Sequence, residues 1–432
     1  MDLMGIRRKY WSDFKLICLA AILLVLPYSY RVSSIVMAIL LLYTLYQIIV
    51  KNEPIEFLTR FSFWAPASFI VISLIGLSYS LNLKDGLGAI ERQLPLLVFP
   101  AILSQSGISR GQFKTLQKVY VVSLVLMMAI LEIRTIWLLS HSKEHGFLTY
   151  FFSYYHTYEN LTTTYLAQPV YIGAYIVLSN MFCITIIKEK SSNGWWFYLF
   201  ALLFGSFFLF QLAARSSIIL NFILIPLYIV YLFYLKKKLI LGSVLAMGIL
   251  TASVILFSTS GFSKLRMQWI VKEFQSGNIY QVDPQSRLII WPIALDIIVD
   301  NWILGVGTGD AEDALISSYK SRGLQALFEN KLNAHNQYLT TIMRHGILGI
   351  IVLLLNFSIP LIIYSKSHNP EAFLFTLLIM GFFLTENVLG RAQGVIFFSL
   401  FHSVYLTTSF GKLTHENSSI WNKLQSRINR YR

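Results

Sequence analysis

His335 and Asn336, then nine residues, then Gly346 and Gly349 in the stretch NAHNQYLTTIMRHGILGI, make the segment best suited to chemistry. The stretch opens polar and runs into an apolar segment from Ile347 to Tyr364, so His335 falls where a membrane helix meets water. A titratable imidazole at that boundary can reach a soluble substrate and a lipid headgroup from one position. Arg215 is the second candidate. It follows Gln211-Leu212-Ala213-Ala214 and precedes Ser216-Ser217 between two long apolar runs, which puts it at the apex of a tight hairpin. A guanidinium so near hydrocarbon is costly unless paired, and its planar fork suits phosphate; an arginine that merely anchors a helix end is the plainer alternative. Arg287, in the first turn of a short apolar helix, adds a cation on the same side, so the two could hold a diphosphate. Asn336 and Arg391 are secondary candidates. Arg391 lies between Gly390 and Gly394 with Glu386 near, and a structural Glu386–Arg391 pair is the simpler reading. His345 should lie about 15 Å further along a helix, as packing or as a support behind the site residues.

The elements that must position these residues are membrane helices. The apolar fraction is 56%, charged residues are 13% and mean hydropathy is +0.61, more apolar surface than a water-soluble domain can hide. A bilayer core about 30 Å thick takes roughly 20 helical residues. Runs of that kind predict an all-α polytopic protein with about twelve spans, near 16–30, 32–50, 63–81, 88–104, 116–138, 167–187, 195–213, 216–235, 239–258, 338–364, 371–389 and 392–409. Residues 1–432 read as a single membrane domain, and the first apolar run as a retained helix rather than a cleaved signal.

Charge orients the bundle. Arg7, Arg8, Lys9, Lys15, Arg110, Lys114, Lys118, Lys188, the Lys236–Lys238 run, Lys366, Lys412 and the basic tail fall on one side, and few cations on the other. By the positive-inside rule both termini are cytoplasmic. Dispersal over helix ends also accounts for the net charge of +14 without nucleic acid as a partner. The one large loop, 259–337 between the ninth and tenth spans, is then external. In it Asp283-Pro284 reads as a helix start, Ser286 to Asp300 as an interfacial helix, and Asp310 to Gly323 as a second short helix with charges matched to its dipole. Leu304-Gly305-Val306-Gly307-Thr308-Gly309 between them could cradle a phosphate, but it lacks the Lys-Ser/Thr of a nucleotide loop and reads as a tight turn. Cys18 and Cys183 fall inside spans as packing residues, and the eight histidines show no metal-ligand spacing; His141, His145 and His156 read as a solvated loop.

The His335–Gly349 pattern, with Arg287, Trp291 and Leu304-Gly305-Val306-Gly307 before it and the Ala214-Arg215-Ser216 hairpin, resembles the O-antigen ligase and polymerase superfamily. The resemblance implies a GT-C-like glycosyltransferase of the bacterial inner membrane with its site on the periplasmic face, working without metal or other cofactor. Its donor would be an undecaprenyl-diphosphate-linked glycan. A ligase passes the glycan to a lipid A–core sugar hydroxyl, with inversion; a polymerase passes it to another lipid-linked repeat. In that reading His335 is the base, Arg215 and Arg287 hold the donor diphosphate, and membrane lipids surround the protein. A lipid-linked glycan transporter or flippase is the rival from another class, though no internal repeat supports it.

Overall fold

A computed structural model describes residues 3–141, 151–153, 156–162, 167–189, 194–259 and 287–428. The expected helix start at Asp283-Pro284, His145 and the first part of the large loop lie outside these residues. The described residues are helical, with no strand among them. Long helices run Tyr30–Ile49, Arg110–His141, Pro169–Lys188, Trp195–Leu212, Arg215–Leu235, Gln337–Lys366 and Ala392–Ile428. Among the described residues eight helical stretches are long and apolar enough to cross a membrane, these seven and Leu83–Ser106 taken as one, against the twelve spans expected. Phe61–Leu77, Leu239–Thr251 and Pro370–Thr385 are apolar but shorter.

One expected span is not a single helix. Residues 88–104 are divided between Leu83–Gln93 and Pro95–Ser106, because the ring at Pro95 cannot donate to the preceding turn but is tolerated as the first residue of a new helix. The expected first run, 16–30, is the end of a helix from Leu3 to Val25.

Helix faces are sorted for lipid rather than water. Tyr30–Ile49 turns Ile35, Ile39, Leu42, Tyr46 and Ile49 outward and buries Ser33, Thr44 and Gln47 on the opposite stripe. Polar groups kept from hydrocarbon must pair inside, and the Asn180 side chain donates to Oδ1 of Asn221 at 2.8 Å across two helices. Cys18 and Cys183 are buried free thiols, as expected of packing residues.

The stretch after residue 287 forms a cap of short helices on one end of the bundle. Arg287–Asp300 is too short to cross a bilayer, and its Leu295 and Val299, with Trp302, Ile303 and Leu304 in the turn after it, are exposed, a surface suited to the membrane interface. Ala311–Ser321 follows and closes at Gly323, whose φ of +68° is a glycine conformation. Asp310 does not serve that helix's dipole. Its carboxylate accepts the amides of Leu81 (2.8 Å) and Asn82 (2.7 Å), clamping the cap to the start of Leu83–Gln93.

The glycine-rich turn has a structural use. Val306 N donates to Met343 O (2.8 Å), Gly307 N to Arg344 O (3.1 Å), Thr308 N to Gly76 O (3.3 Å) and Gly309 N to the Ser80 hydroxyl (3.1 Å). The four amides that a phosphate cradle would need are occupied. Two of their acceptors belong to a break in the helix Gln337–Lys366. At Gly346 the backbone turns to φ +52° and ψ −133°, and the Ile347 amide leaves its helical partner for Ile303 O at 3.2 Å. Gly349 then lets the second half lie against the Thr341 carbonyl. The spacing of the motif is thus architectural: a short helix from Gln337 to His345, a glycine break, and a long helix through the membrane. His345 is consequently not simply further into the bilayer; it is buried against Gly76 at the break.

Alanine at Gly346 would need a left-handed residue and would drive Cβ into the Ile303 carbonyl. Such strain costs on the order of 1–3 kcal/mol before the clash is relieved. Gly346→Ala should lower the melting temperature of the detergent-purified protein by several degrees. An unchanged melting curve would show that the break is not held as described.

Candidate functional site

The sequence around His335 fixes its place before any long-range contact does. Asn336 is the N-cap of the short helix, with φ −154° and its side-chain oxygen accepting the Leu339 amide at 3.1 Å. That accounts for Asn336, which is 5% exposed: it starts the helix. His335 has φ +43°, a conformation that costs a non-glycine residue on the order of 1 kcal/mol. Neighbours hold it there. The His335 amide donates to Asn333 Oδ1 (2.8 Å), the Trp291 indole donates to Ala334 O (3.0 Å), and Leu389 N donates to Gln337 Oε1 (2.7 Å). These contacts fix the backbone of the turn that carries the imidazole.

The imidazole faces a carboxylate. His335 Nδ1 lies 3.6 Å from Glu386 Oε1, an electrostatic contact slightly longer than a hydrogen bond. Glu386 ends the helix Pro370–Thr385, with its backbone extended at φ −150°, and its Oε1 accepts the Asn387 amide at 3.0 Å. Burial pushes the Glu386 carboxyl up. The contact and charge of His335, the Asn387 amide and the charge of Arg287 outweigh it, so the net shift is downward and the group stays ionised.

Arg287 is brought to the same place, its Nη2 donating to Thr385 O at 2.8 Å. His335, Arg287 and Glu386 thus meet at one end of the bundle. Arg391 is four residues beyond in chain order from Asn387. The expected Glu386–Arg391 pair is not formed; Glu386 takes His335 instead. Arg391 is exposed, and the Tyr171 hydroxyl lies within electrostatic reach of both Glu386 and Arg391.

Arg215 is the first residue of the helix Arg215–Leu235, behind a C-cap at Ala213 with φ +50°, so the hairpin apex expected from sequence is present. Its level follows from register. Leu220 packs over Gly381. Five residues back from Leu220 reaches Arg215, and five forward from Gly381 reaches Glu386, each about 7.5 Å along antiparallel helices. Ala214 and Ser217 also close on Gly173, while the Tyr171 hydroxyl reaches Asn387 O at 3.5 Å. Arg215 therefore shares the membrane level of Glu386.

The sequence did not reveal that Glu386 faces His335. A carboxylate closing an apolar run was the available signal; its partner, 51 positions earlier in the chain, was not visible. No three His, Cys, Asp or Glu side chains that could share a metal ion converge among the described residues.

The arrangement can do a defined piece of chemistry. A carboxylate behind Nδ1 can orient an imidazole, stabilise it when protonated and leave its other nitrogen to a bound hydroxyl, and Arg287 lies beside the pair. Glu386→Gln keeps the shape and removes the charge. If the carboxylate supports the imidazole, this change should remove at least tenfold of the ~10²–10⁴-fold a positioned base contributes, while protein level and donor binding stay as in the wild type. Unchanged turnover of Glu386→Gln at matched protein level would make Glu386 a helix-end residue only.

Comparison with curated proteins gives no match. The pattern of the O-antigen ligase family matches residues 200–354. That stretch contains Arg215, Arg287, His335, Asn336 and both motif glycines, and it stops before Glu386 and Arg391. Residues 200–354 of this helical, multi-pass chain are thus similar to the O-antigen ligase family.

Proposed function

We propose that the protein is an inner-membrane glycosyltransferase that moves an undecaprenyl-diphosphate-linked glycan to a sugar hydroxyl of lipid A–core at the periplasmic face. The observation that carries this reading is the His335–Glu386 contact with Arg287 beside it, inside a segment that matches the O-antigen ligase family. His335 Nε2 takes the proton of the acceptor hydroxyl as its oxygen attacks the anomeric carbon, and the bond to the diphosphate oxygen breaks. Arg215 and Arg287 neutralise the charge gathering on the departing diphosphate. Displacement from the opposite face inverts the anomeric centre. A diphosphate is already a stable leaving group, which makes a metal dispensable. The reading extends to a GT-C-like bundle of about twelve spans: the eight long apolar helices, the three shorter ones and Leu3–Val25 supply that number of segments.

Both termini are assigned to the cytoplasm on the charge asymmetry. A strain lacking the protein, with lipopolysaccharide run on a gel, tests the reading. Loss of all long chains while lipid-linked polymer accumulates is expected of a missing ligase; core carrying a single repeat would indicate a polymerase. In the complemented strain, Ser321→Cys should react with an impermeant thiol reagent in intact spheroplasts and Lys237→Cys only after lysis. The reverse pattern would put the site in the wrong compartment.

A further inference from the structure

The end of the bundle opposite His335 holds a cavity of about 1230 Å³. It is enclosed by the starts of Arg110–His141 and Pro370–Thr385, the ends of Pro169–Lys188 and Gln337–Lys366, and residues 407–412. Nothing in the proposed transfer uses it.

Its charge is unbalanced. Five Lys and Arg side chains line it, and Arg60 among them pairs with Glu56 outside the lining, which leaves four against two carboxylates, Glu189 and Glu371. Glu189 is shared by Arg110 (3.3 Å) and Lys114 (2.5 Å). Glu371, at the floor and 5% exposed, is satisfied by neutral donors: Gln117 Nε2 (2.7 Å), the Tyr405 hydroxyl (2.9 Å) and the Thr185 hydroxyl. No cation is spent on it. Lys188 and Lys412 have no carboxylate partner among the described residues; Lys412 Nζ reaches only the Ser367 carbonyl, at 2.6 Å. Cations held together in a concave site without anions to match them favour an anionic ligand. Ile108 and Phe113 supply an apolar wall beside them. The volume exceeds the usual range of small-molecule pockets, and the opening lies at the ends of membrane helices, level with lipid headgroups.

We propose that this cavity binds a phosphate group, and that the phosphate is the headgroup of an anionic phospholipid, with its glycerol end against Ile108 and Phe113. A basic pocket between helices attracts such a headgroup by roughly fivefold in affinity per lysine or arginine. The site is independent of the transfer chemistry at the other end.

The test uses the full chain in detergent with equal amounts of phosphatidylglycerol and phosphatidylcholine, read by native mass spectrometry. The expected result is one tightly retained phosphatidylglycerol. The double variant Lys188→Gln with Lys412→Gln should lose it by about 25-fold, from two such factors. Lys188 is exposed, so the single Lys188→Glu variant keeps the measurement possible if the double does not fold, and it too should lose the lipid. Lys237→Gln, on a loop outside the cavity, should retain it. Equal retention of the two lipids, or phosphatidylglycerol held as tightly by the Lys188 variants, would overturn the proposal. Titration with inorganic phosphate separates the sources: phosphate binding lost in the same variants without any lipid preference would overturn the lipid assignment.

Discussion

Replacing His335 with alanine should abolish glycan transfer while leaving the protein folded and inserted. The helix that follows is started by the Asn336 side chain, not by the imidazole, and the turn is held by Asn333, Trp291 and Gln337. Alanine also pays a conformational penalty at φ +43° of the same order as histidine, so the backbone has no new reason to move. What is lost is the acceptor of the hydroxyl proton, which a positioned base makes worth ~10²–10⁴-fold in rate. The assay is transfer of lipid-linked glycan to core acceptor in vesicles, at matched protein level. Near-normal transfer by His335→Ala would reduce the residue to a structural one, and Glu386 with it.

The arginines should part from the histidine in a binding measurement. Arg215→Ala and Arg287→Ala each remove a charge-assisted contact to the donor diphosphate, of about 1.5–3 kcal/mol. Donor affinity in nanodiscs should fall by roughly 10- to 150-fold in each. His335→Ala should leave it nearly unchanged, since a base acts on the acceptor. Lysine should restore part of the binding, because it keeps the charge and loses the planar fork. The two positions should also differ from each other. Arg287 donates to Thr385 O and its charge helps keep Glu386 ionised, so Arg287→Ala should slow turnover even with donor saturating. The effect of Arg215→Ala should be largest on binding. If both alanine variants bind donor as tightly as the wild type, the diphosphate clamp is wrong and the arginines are helix-end anchors.

The sequence by itself determined the class of this protein, because lipid solvation is additive over residues: runs of apolar side chains long enough for a bilayer can be counted without knowing what they touch. The hairpin at Arg215, the short helix from Arg287 and the tight turn at residues 304–309 were legible for a similar reason, since Gly residues and charged residues between apolar runs act locally. The matched family segment, 200–354, is where most of the site candidates were found. Which groups meet was decided by packing. Glu386 was read as the partner of nearby Arg391, but the end of Pro370–Thr385 turns extended and delivers the carboxylate to His335. The glycines of the His335 motif could be seen but not interpreted. Their use depends on the carbonyls of Ile303 and Thr341, and on the turn at Gly305–Gly307 docking where the helix breaks. The division at Leu94 also lay within one apolar run, where hydropathy does not register a change of direction. A pattern of hydropathy reports the solvent each segment prefers. The pairing of a histidine with one carboxylate rather than another depends on helix register and backbone direction across 51 residues of chain, and these exist only once the helices have packed.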